Sequence, residues 1–186
     1  ENLIEAVGDI DKSLIPKDCE IVDCGGKIVM PGLINSHVHT SQQLGRGLGD
    51  DVNLLTWLHE RTFPYESNLT PTDSYISTLL CSIEQIRSGV TSFAEPGGQF
   101  VASMAKGVSE AGLRAKLAKS SMDCGEGLPK IWQRSTEEEL EQQVADLEAL
   151  HGSANNRVQV WFGLRNGGPS HFWHPSRSVF RVVFRI

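Results

Sequence analysis

The chain has 186 residues, a net charge of −6, and 39% hydrophobic and 22% charged residues, which is the composition of a soluble globular protein with one domain and room for a small second piece. The acidic balance, without a basic cluster, argues against nucleic acid as a partner, and no apolar run approaches the ~20 residues of a membrane span. Glu1-Asn2-Leu3-Ile4-Glu5 is not a secretory signal and no initiator Met is present, so a start ahead of Glu1 and a cytoplasmic location are expected.

Residues 1–30 hold short β-like pieces, Leu3 to Val7, Glu20 to Cys24 and Lys27 to Met30, separated by turn residues such as Gly8-Asp9 and Gly25-Gly26. A small β layer is predicted there. The next run, Val29-Met30-Pro31-Gly32-Leu33-Ile34-Asn35-Ser36-His37-Val38-His39-Thr40, reads as a buried strand behind a Pro-Gly. Side chains alternate faces along a strand, so His37 and His39 project together and Val38 points the other way. Paired neutral imidazoles on one rigid face can hold a metal ion, although the same spacing also serves structural histidines.

Strands and helices then alternate. Asp50 to Arg61 predicts a short helix, broken at Phe63-Pro64-Tyr65. Thr70-Pro71-Thr72-Asp73 starts a helix with an N-cap, a first-turn proline and a capping-box acid. Its predicted buried face is Ile76, Leu79, Leu80, Ile83 and Ile86, and Ser88-Gly89 ends it. Val90 to Ala94 is the next strand, and Phe100 to Ala111 the next helix, with Val101, Met104, Ala105 and Val108 inward and Gly112 as its stop. Arg114 to Ser121 is a third strand. Ser135-Thr136-Glu137-Glu138 opens a helix predicted to bury Leu140, Val144, Leu147 and Leu150, with Glu137 to Glu139 read as favourable charge at its N-terminus. Val158 to Leu164 is a fourth strand. This order argues for a parallel sheet built from βαβ units.

Cys19, Cys24, Cys81 and Cys124 show no Cys-x-x-Cys spacing, so reduced thiols are expected rather than a zinc knuckle. The tail breaks the pattern. From His171 to Ile186 it carries three Phe, one Trp, three Arg and no acid, without helix period or cap. His171 and His174 have no element to orient them, and His59 and His151 read as solvated residues.

The His-x-His phrase with its β-rich start resembles the amidohydrolase superfamily. Leu44-Gly45-Arg46-Gly47-Leu48-Gly49-Asp50-Asp51, Trp57-Leu58, Pro64-Tyr65-Glu66, Ser88-Gly89-Val90-Thr91 and Glu110-Ala111-Gly112-Leu113-Arg114-Ala115 resemble its branch of cytosine, guanine and S-adenosylhomocysteine or methylthioadenosine deaminases and triazine hydrolases. The resemblance implies an α/β fold, the N-terminal part of a (β/α)8 TIM-like barrel preceded by a β-sandwich segment. Residues 1–30 would be the sandwich segment, 31–165 the first barrel strands and helices, and 166–186 an aberrant tail from alternative splicing or a frameshift.

It also implies a hydrolase of non-peptide C–N bonds that deaminates or dechlorinates a small heterocyclic substrate with metal-activated water. His37 and His39 would supply two ligands to one ion, Zn or another divalent metal such as Fe. The third His and the Asp that the family takes from strands five and eight fall beyond the readable barrel. Glu66 matches a position that hydrogen-bonds the substrate ring, and Lys119 aligns loosely with a substrate-contacting Arg, although a surface lysine is the simpler reading. Gly163-Leu164-Arg165 departs from the Gly-Pro-His of the nucleoside deaminases, and no Lys in 158–165 offers a bridge between two metals. Glu95, at the end of strand two, faces either the pocket or a helix cap. The alternative is a truncated, non-catalytic isoform acting as an interaction partner. Its open strand edges would pair with another chain, homo-oligomers included.

Overall fold

A computed structural model describes residues 3–123 and 127–163. The chain divides into two units, Glu1–Pro31 and Gly32–Ile186. In the first, the predicted β-like pieces are not strands among the described residues. Its backbone hydrogen bonds close only tight turns, from Leu14 N to Asp11 O (2.9 Å), Cys19 N to Pro16 O (3.3 Å) and Lys27 N to Cys24 O (2.9 Å). A strand exists only as part of a ladder, and these segments have no ladder partner among the described residues.

The second unit contains β1 (Leu33–Asn35), α1 (Leu54–Thr56), α2 (Phe63–Ser67), α3 (Pro71–Arg87), β2 (Val90–Gly98), α4 (Val101–Ala111), β3 (Arg114–Lys119), α5 (Thr136–Leu150) and β4 (Val158–Trp161). The strands form one sheet in the order β1-β2-β3-β4, and every neighbouring pair is parallel. Sequential parallel strands joined by helices fit the N-terminal part of a barrel. Phe93, Met104, Val108, Leu117, Val158 and Val160 are buried at the centre of the main core. Each such side chain contributes ~1.5–3 kcal/mol relative to leaving it in water.

Local signals place the helix ends. Thr70 accepts from Asp73 N while the Asp73 side chain accepts from Thr70 N, and Ser135 and Glu138 make the same box at α5. Gly112 closes α4 at φ +87°, where a side chain would be strained. The predicted break at Pro64 does not occur. Residues Trp57–Thr62 form a π-helical turn, with Phe63 N–H reaching back to Leu58 O, and Pro64 lies in the first turn of α2. A π turn already shifts the register of the backbone ladder, so a residue without an N–H is tolerated beside it.

The inward face of α3 differs from the predicted one. Ile76, Ile83 and Ile86 are 46%, 47% and 46% exposed, whereas Ser74, Ser77, Thr78, Cys81, Ser82 and Gln85 are buried. These small side chains let α4 come close. A Cβ built on Gly107 of α4 would meet Tyr75 O at 3.2 Å and both Leu79 N and Thr78 Cβ at 3.3 Å. Gly107→Val is therefore expected to lower stability by ~1–3 kcal/mol through overpacking. A urea melt within error of the wild type would show that this helix contact is not tight.

Candidate metal centre

Regular pairing of β1 stops at Asn35, short of the predicted histidine strand, with a bend at Ser36 and a 3-10 segment, Thr40–Gly45, only after the histidines. Val38 N nonetheless donates to Ala94 O at 3.1 Å, so the histidines remain alongside β2 at the C-terminal end of the sheet. The rings of His37 and His39 stand edge to face, with centroids 5.1 Å apart, while Val38 packs against the main core. His37 is exposed and His39 half-buried.

The orientation of His39 is set by Glu95. The carboxylate is 1% exposed and Oε1 lies 3.1 Å from His39 Nδ1. Gly97 N donates to that same oxygen at 3.0 Å, and Thr40 N donates to Oε2. A carboxylate only accepts, so in this contact Nδ1 is the donor. The turn behind His39 is pinned by α3. Ser77 Oγ donates to Thr40 O at 2.8 Å, and Thr78 Oγ1 to Thr40 Oγ1 at 3.0 Å. The polar face of α3 thus serves the histidine turn.

An oriented imidazole beside a second one fits part of a mononuclear site, which needs three protein ligands and an open position. Among the described residues no group of three His, Cys, Asp or Glu is placed to hold a metal. His37 and His39 therefore fit as two ligands of a larger set. Burial pushes the Cys81 thiol up to about 11, so it is neither thiolate ligand nor nucleophile near neutral pH.

Glu66 is buried rather than solvated, 3% exposed, and accepts from Gln42 Nε2 at 2.6 Å. Gln42 N in turn donates to His39 O at 3.2 Å, tying the carboxylate to the histidine turn. Glu66 also lines a cavity of about 370 Å³ at the C-terminal ends of β2 and β3. The surface reading of Lys119 is wrong. Lys119 is 6% exposed, lines the same cavity and is ion-paired with Glu139 of α5. Glu139 in turn is not simply a charge at a helix start. Its signal lay in the spacing of Glu139, Gln143, Leu147 and Leu150, which places it on the stripe that α5 turns inward.

The amidohydrolase family model matches residues 28–168. The chain belongs to the amidohydrolase family. This amidohydrolase is 37% identical over 163 residues to the 5'-deoxyadenosine deaminase of Methanobrevibacter smithii, covering 88% of this chain. It is 38% identical over 144 residues to that of Methanosarcina mazei, covering 77% of this chain. The chain spans 35% of the first relative and 32% of the second. Among solved structures it is similar to an adenosine deaminase from Xanthomonas campestris with bound zinc, at 26% identity and TM-score 0.62, covering 73% of this chain and 29% of that one. A guanine deaminase from C. acetobutylicum with bound guanine shares the fold at TM-score 0.65 and 22% identity, over 75% of this chain and 34% of that one.

The remaining histidines of this amidohydrolase divide between structure and the undescribed segments. His151 is a structural residue, its Nδ1 lying 3.2 Å from both Val160 N and Val160 O. The half-buried His59 stacks edge-on with Phe63, centroids 5.3 Å apart. Cys124, Leu164, Arg165, His171, His174 and all of 166–186 lie outside the described residues. No helix among the described residues is long and apolar enough to cross a membrane.

Proposed function

We propose that this amidohydrolase serves a metal-dependent hydrolase that removes an amino group from the heterocycle of a small nucleoside of the 5'-deoxyadenosine type. The observation that carries the reading is the His37–His39 pair, oriented by buried Glu95 and linked through Gln42 to buried Glu66 beside a ligand-sized cavity. The relatives named above supply the substrate class. His37 and His39 hold one divalent ion, zinc in the first instance and iron as the alternative, with the remaining ligands from outside the described residues.

When bound, the ion supplies the acidity that makes water a nucleophile at neutral pH. Glu95 keeps the His39 ring turned, and Glu66 accepts a hydrogen bond from a donor group of the substrate. The surrounding architecture is a (β/α)8 barrel. Residues 1–30, 31–165 and 166–186 divide into a β-sandwich segment, the first barrel units and a tail of different origin. A cytoplasmic setting and self-association through open strand edges complete the reading.

A second reading is a non-catalytic chain, favoured by a donor set of only two histidines among the described residues. Purified chain loaded with zinc and desalted is expected to retain about one ion, and His37→Ala/His39→Ala to lower its affinity at least ~10-fold. Ammonia release from 5'-deoxyadenosine separates the two readings, since the first requires it and the second forbids it. Unchanged zinc content in the double variant would remove the metal site from both.

A further inference from the structure

The cavity beside Glu66 carries two cations on its wall, Lys119 at the end of β3 and Arg134 ahead of α5. Lysine and arginine side by side on a ligand-sized cavity make a receptor for a carboxylate or phosphate. Here both already face a carboxylate of the chain itself. Glu139 Oε2 accepts from Lys119 Nζ, and Glu139 Oε1 lies 3.9 Å from Arg134 Nε. Glu139 is 2% and Lys119 6% exposed, so their pairing takes place inside the wall, whereas the Arg134 side chain is 44% exposed. Glu66 and Asp146 add further negative charge to the lining.

We propose that Glu139 sets the charge selectivity of the cavity: it occupies Lys119 from within and lies beside Arg134, so that the cavity admits an uncharged polar ligand and refuses an anionic one. Glu139 is a specificity-determining residue. Naming the uncharged ligand a nucleoside rests on the function proposed above, and the charge rule itself does not.

The test uses the full chain as wild type, Glu139→Gln, and Lys119→Met/Glu139→Gln, with inorganic phosphate as probe and calorimetric titration and thermal shift as readouts. Glu139→Gln keeps the shape of the side chain and releases Lys119, with Arg134 beside it. It is expected to bind phosphate at least ~10-fold more tightly than the wild type, and the double variant to lose that gain. Phosphate binding by the wild type with comparable affinity overturns the proposal without recourse to any variant. So does a folded Glu139→Gln chain that gains nothing, or a gain that survives in the double variant. A parallel titration with 5'-deoxyadenosine tests the functional reading separately. Its failure alongside a phosphate gain would remove the nucleoside and keep the charge rule.

Discussion

Lys119→Met is expected to destabilise the fold by ~3–5 kcal/mol, because it strands a buried carboxylate. The Glu139 side chain is 3% exposed and loses the ammonium that meets Oε2. Among the described residues Arg134 is the remaining cation within 4 Å, but its Nε is 3.9 Å from Oε1 and its side chain is 44% exposed, so it offsets little of the loss. Removing both charges should behave differently. Lys119→Met/Glu139→Gln leaves a buried amide but no stranded charge, and is expected to cost clearly less than the single variant. Urea denaturation of the two variants gives the comparison. If the single variant unfolds at the same midpoint as the double, the pair is not a buried ion pair in solution.

Glu95→Gln is expected to weaken zinc binding by ~10–100-fold while leaving both histidines in place. The carboxylate takes three donors, from His39 Nδ1, Gly97 N and Thr40 N. Glutamine offers a single acceptor oxygen, and its amide nitrogen must then face an N–H. Either His39 loses its anchor and changes tautomer, or the backbone at Thr40 or Gly97 gives way. Chelator competition reports the affinity, and the 15N shifts of the His39 ring report the tautomer. Wild-type affinity together with an unchanged His39 tautomer would show that Glu95 does not position the ring.

Much of the local structure was legible because its causes lie within a few residues. The capping boxes at Thr70 and Ser135 and the stop at Gly112 each close hydrogen bonds or fix a dihedral inside one turn. The inward stripe of α4 was readable from its apolar period. The inward stripes of α3 and α5 were legible only in part: apolar period passed over the buried small polar residues of α3, and in α5 it named Leu147 and Leu150 but missed Glu139 and Gln143. The buried stripe of α3 is built from Ser74, Ser77, Thr78, Cys81, Ser82 and Gln85. It spaces correctly for a helix, but small polar side chains become core only when a neighbour such as Gly107 allows close approach and a group such as Thr40 accepts their protons. The β-like pieces of residues 1–30 are not strands among the described residues, since alternation along a segment does not by itself supply a ladder partner.

The candidate site divides in the same way. The amino-acid sequence alone determined the histidine pair and the family motif, because a two-residue spacing along an extended chain needs nothing else to bring two rings together. Tertiary structure decided what those rings and the nearby charges do. His39 meets Glu95 across 56 residues, and Lys119 meets Glu139 across 20. Such pairings depend on which strand and helix ends the fold sets side by side. Burial then decides their strength, since a carboxylate removed from water must take its partners from whatever the fold has placed within reach.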